Sequence, residues 1–211
     1  MGIDFKAHNA LEQAICDRDC EAMVYAVAEG MELTTLAPAS NLGDECFTDE
    51  AVFAVLFLAA NIEQLEMMAN GWFWGHLKAG ERMRKLVEEA LTPLPRKPEE
   101  NEKKLVKAIA FQESNEVIRL IKQENARFSG FAPELLTMLP ELSQEAVLTL
   151  LRDGLSAKLK VIVWGILLKE AESPERLNGL TYAEVIKYAN LMMKIIAGKA
   201  VSADEPWYPE N

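Results

Sequence analysis

Histidine is scarce in this chain: His8 and His76 are the only two in 211 residues. Neither sits in a nucleophile, metalloprotease or phosphate-loop pattern, so the sequence offers no recognisable catalytic constellation. Cysteine is equally sparse, with Cys16, Cys20 and Cys46. Their spacing, taken with His8 and His76, matches no zinc knuckle. We therefore read the thiols as small buried groups and expect no metal and no cofactor. Three cysteines without a basic-then-apolar leader point to a reducing, cytoplasmic setting. Long apolar runs are missing too: the stretch Val161 to Leu168 falls far short of the roughly 20 residues a membrane span needs, so none is expected.

Positive charge is also in short supply. The chain holds 22 Lys and Arg against 33 Asp and Glu, a net charge of −11. Residues 1–91 carry 16 acidic and 6 basic side chains, whereas residues 92–211 carry 17 and 16. A reader of phosphate backbone needs a basic face, so direct nucleic-acid binding is not expected. The lopsided charge leaves room for a basic protein partner.

What is abundant is apolar residue, 50% of the chain, set at helical spacing. Glu145 through Gly154 reads as a short amphipathic helix that stops at glycine, and Glu21 through Gly30 matches it position for position. Weaker copies lie at Ile62 to Gly71 and Asn115 to Glu124. In one register, Val24, Leu65, Ile118 and Leu148 align, as do Val27, Met68, Ile121 and Leu151. Positions three and four apart form one stripe, and glycine just beyond it favours a left-handed stop. A second apolar segment precedes each copy: Ala10 to Ile15, Ala51 to Ala60, Leu105 to Phe111, and Leu135 to Leu139. The unit is thus helix, tight turn, helix, repeated at unequal spacing.

The pattern resembles ankyrin repeats in Ala14-Ile15 followed by Asp19, Glu21-Ala22 and Gly30, and again in Glu145-Ala146 through Asp153-Gly154-Leu155. The family's Thr-Pro-Leu-His turn is absent from every copy. The resemblance implies an all-α, irregular stack of helical hairpins in two closely packed halves. It also implies the work of a protein-binding scaffold.

Punctuation divides the chain. Residues 1–91 form an acidic helical half, 92–98 a proline-rich linker, 99–201 a second helical half and 202–211 a tail that is flexible apart from Trp207 and Tyr208. Residues 32–44 read as a loop. Thr48, Ser114 and Ser143 are expected N-caps, Pro133 a first-turn residue, and Thr181 with Glu184 a capping box.

Two features carry the functional expectation. The acidic run containing Asp44, Glu45, Asp49 and Glu50 reads as the charged rim of a partner surface. Trp72 and Trp74, in the cluster Trp72-Phe73-Trp74-Gly75-His76, read as its apolar anchors. Two other classes stay open. One is an inhibitor or immunity-type protein that masks a basic active or nucleic-acid-binding surface. The other is a helical enzyme with His76 and nearby carboxylates in a pocket.

Overall fold

The computed structural model describes residues 7–70, 79–94, 99–130, 132–173 and 179–207. Among these the fold is all-helical: no strand forms, and the single β-bridge joins Phe128 and Leu155. The chain divides into two compact units. One is Met1–Pro93 with Ile196–Gly198, the other Leu94–Ile195 with Lys199–Asn211.

The first unit opens with α1 (Ala10–Asp17) and α2 (Cys20–Ala28). Asn9 caps α1 by accepting from Glu12 N at 2.9 Å, and Asp19 caps α2 by accepting from Glu21 N and Ala22 N at 3.0 Å. Between them Arg18 takes a left-handed conformation, φ 59°, and turns the chain in two residues. Leu11, Ala14 and Ile15 of α1 and Met23, Val24, Ala26 and Val27 of α2 are buried, so the apolar stripes meet. The expected loop then contains a 3-10 helix, Pro38–Gly43, before α3 (Asp49–Ala54). Thr48 caps α3 as expected, accepting from Ala51 N at 3.1 Å. The apolar run beyond Ala54 is not one regular helix. Val55–Ala59 widens into a π turn, closed where Ala60 N donates to Val55 O at 2.9 Å. Asn61 and Gln64 then form a capping box at α4 (Ile62–Ala69), and α5 (Ala79–Leu91) completes the unit.

The second unit runs through α6 (Glu100–Ala110), α7 (Ser114–Glu124), a 3-10 helix (Pro133–Glu141), α8 (Gln144–Asp153), α9 (Ala157–Glu172) and α10 (Tyr182–Ile196). Its core gathers Leu105, Ile109, Val117, Leu120, Leu150, Leu151, Trp164 and Tyr188, all at least 97% buried. Ser143 caps α8, accepting from Ala146 N at 3.2 Å, and the Thr181–Glu184 box opens α10. Ser143→Ala should therefore lower stability by about 1 kcal/mol, read as a shifted denaturation midpoint with an unchanged slope.

Three local expectations are corrected. Ser114 is the first helical residue of α7 rather than its cap; its hydroxyl instead accepts from Ser143 N at 2.9 Å. Leu135 to Leu139 lies in the 3-10 helix, where Pro140 has no N–H to continue an α-helix. Gly154 is right-handed, φ −85°, so it is not a left-handed stop. It is there for space: a Cβ would sit 2.8 Å from Leu150 O and 3.1 Å from the Ile121 side chain. In the tail, Trp207 is buried, its Nε1 donates to Ser202 O at 3.0 Å, and the Lys187 ammonium lies 5.1 Å from its ring centroid.

The two units follow the same plan. Leu11, Ala14 and Ile15 correspond to Leu105, Ala108 and Ile109, and left-handed Arg18 to left-handed Gln112 (φ 60°). The bond Asp19 N to Ala14 O recurs as Glu113 N to Ala108 O. After each hairpin the departing chain is held in one manner: Leu33 N donates to Ala59 O, and Phe128 N to Gly154 O, both at 3.0 Å. Pro38 then matches Pro133, Thr48 matches Ser143, and Asn61 matches Ser156, all at one spacing. It follows that α8 has α3 as its counterpart, not α4, which corrects the register that paired Ile62 to Gly71 with Glu145 to Gly154.

Candidate interaction surface

Each unit also holds a buried carboxylate on its first helix, at positions that differ by one helical turn: Glu102 corresponds to His8, four residues before Glu12. Glu12, on α1, is fully buried and accepts from His8 N at 2.7 Å and Thr34 N at 3.0 Å, and also from the Thr34 hydroxyl. Burial pushes its carboxyl up, but the bonds from Thr34, His8 and Thr35 outweigh that and hold it below its ordinary value. Glu102, on α6, accepts from Ser129 N at 3.0 Å and Ser129 Oγ at 2.6 Å. Thr34 and Ser129 occupy the same place after their hairpins. Each unit thus uses one first-helix glutamate to pin the chain leaving its second helix, and these acids are structural.

The acidic run before α3 is shaped by a residue of α5. Arg82 sends Nη1 to Gly43 O at 3.1 Å and Asp44 O at 2.8 Å. Its Nη2 reaches Phe47 O at 3.0 Å and Asp49 Oδ1 at 2.6 Å, with Nε also on Asp49 Oδ1 at 3.1 Å. One planar guanidinium therefore closes the end of the 3-10 helix and the start of α3 together, a geometry lysine cannot copy. Asp44 is half-buried and pairs with Arg18 at 3.0 Å. Glu45 is exposed, and no described residue forms an ion pair with it. Glu50 is half-buried in the first turn of α3.

Of the rim residues expected from sequence, Asp44, Glu45, Asp49 and Glu50 thus lie together on one stretch, two of them engaged by arginine. Trp72, Trp74 and His76 lie outside the described residues. The structure adds apolar side chains that sequence reasoning passed over: Tyr25 is 57% exposed, Leu58 42% and Ile62 70%. Leu58 lies in the π turn, and Ile62 is the first residue after the Asn61 cap. The available signal was the cap itself, since the residue after an N-cap starts a helix with no preceding turn to cover it.

Among the described residues no group of three His, Cys, Asp or Glu side chains is placed to hold a metal ion, and no helix is long and apolar enough to cross a membrane. Two open grooves lie in the second unit. Gln112, Asn115 and Arg119 line one, where Arg119 is held by Glu116 and Glu124 at 2.7 Å each. Lys122, Glu145, Arg152 and Asp204 line the other. Comparison with protein-family models, with curated proteins and with solved structures gives no match.

Proposed function

We propose that this chain is a protein-binding module, an ankyrin-like array of helical hairpins whose acidic half presents its surface to a basic partner. The observation that carries the reading is the location of charge. Nearly all the acidic excess falls in residues 1–91, where exposed Glu45, with no ion pair among the described residues, lies beside a stretch organised by Arg82. Folding gains nothing from a one-signed excess, because like charges oppose compaction. A one-signed rim does speed encounter with an opposite surface and reject like-charged competitors. Exposed Leu58 and Ile62 supply apolar contact in the same unit, and Trp72 and Trp74 are the further anchors we assign from sequence.

The hairpins α1–α2 and α6–α7, each closed by a left-handed residue, support the ankyrin-like description. The same surface would suit a protein that masks a basic active site, and partner identity separates the two. Affinity capture on the immobilised full chain at low ionic strength should retain proteins with basic patches, released as salt rises through physiological strength. Capture limited to acidic or salt-insensitive proteins would contradict the proposal.

A further inference from the structure

We infer that Cys20 and Cys46 are a thiol pair able to close a reversible disulfide, fastening the segment that carries Asp44 and Glu45 onto α2. The two residues are far apart in sequence but in contact: the Cys20 thiol donates to the Cys46 carbonyl oxygen at 3.7 Å. The carbonyl belongs to the same residue as the second thiol, so the partner backbone is already within a side chain's reach. Cys46 is exposed and Cys20 half-buried, which gives the pair one sulfur open to solvent and one held behind it. Arg82 fixes the backbone on both sides of Cys46 through Asp44 O and Phe47 O, so the approach is built in rather than a chance of loop position.

The chemistry is thiol–disulfide exchange with a small disulfide such as oxidised glutathione. The Cys46 thiolate attacks one sulfur, the S–S bond breaks, and a glutathione thiolate leaves with that bond's electron pair. Cys20, after giving up its proton, attacks the Cys46 sulfur of the mixed disulfide, and glutathione leaves. The protein loses two protons and two electrons, and one glutathione disulfide becomes two thiols. Burial pushes the Cys20 thiol up, which favours Cys46 as the first to react. Cys16, also half-buried, sits at the end of α1 and has no such contact with the Cys46 segment.

The test is native incubation of the full chain with oxidised glutathione, followed by non-reducing peptide mapping. The wild type and Cys16→Ser should yield the Cys20–Cys46 cross-linked peptide at roughly tenfold or more over any other pairing. In denaturant that preference should collapse. Cys20→Ser, with an unchanged helical circular-dichroism spectrum to show that it is folded, should leave Cys46 carrying glutathione, which shows that Cys46 is still reactive. Stable glutathionylation of Cys46 in the wild type, or a Cys16–Cys20 bridge in comparable yield, would overturn the assignment.

Discussion

Replacing Glu12 with alanine should destabilise the chain by on the order of 3 kcal/mol. The carboxylate is fully buried, and its removal leaves the N–H groups of His8 and Thr34 and the Thr34 hydroxyl without their acceptor. A fully buried orphaned donor costs about 1–3 kcal/mol, and because His8 and Thr34 are themselves exposed residues, access to water lowers the sum. The same site sets a pH dependence. Its folded value lies below the ordinary value of about 4.5, so the ionised carboxylate is favoured by folding. That contribution is present in full above the unfolded value and is lost as pH falls below about 4.5 and through the folded value. Glu12→Gln should remove that part of the acid sensitivity while keeping the side-chain shape. Parallel acid-stability curves for wild type and Glu12→Gln would refute the pinning role.

Arg82→Ala should cost about 2–4 kcal/mol, read by chemical denaturation. Its guanidinium is about a quarter exposed and serves three backbone carbonyls as well as Asp49. A surface ion pair alone would contribute little, so the size of the loss separates the carbonyl clasp from the Asp49 pair. Arg82→Lys should recover only a minor part, because an ammonium cannot span the same set of oxygens. Full recovery by lysine would show that charge alone matters there.

Both residues illustrate what the chain made readable and what it did not. Local signals were legible: the hydroxyls of Thr48 and Ser143 cap their helices and Thr181 pairs with Glu184, because caps depend on neighbours within four residues. The all-helical class followed from aliphatic spacing; Val24, Leu65 and Leu148 are buried as the stripe required, whereas Ile118 is half-buried. Arg82 was hidden because its partners lie 33 to 39 positions earlier, and nothing in a helical charge pattern marks such a reach. The register of the internal match was misjudged for a different reason. It was anchored on helices that end at glycine, yet Gly154 is a packing glycine whose counterpart is Ala59. The better anchor lay in the connecting segments, where Ala37-Pro38 matches Ala132-Pro133 and Glu50-Ala51-Val52 matches Glu145-Ala146-Val147 at one spacing. The acidic stretch was legible as charge, but its division into Asp44 and Asp49, engaged by arginine, and Glu45, which forms no ion pair among the described residues, required the fold.

That division defines the most direct measurement of the central claim. Asp49 must be kept, because Arg82 depends on it. The informative variant is therefore Asp44→Asn, Glu45→Lys and Glu50→Lys together. Its association rate with a partner captured at low salt is compared with the wild type's across rising ionic strength, after circular dichroism shows the same helical spectrum. If the acidic rim steers a basic partner, association should slow by about tenfold or more at low salt, and its salt dependence should flatten. An unchanged rate with an unchanged salt slope would contradict the account and leave the acidic excess without a role in binding.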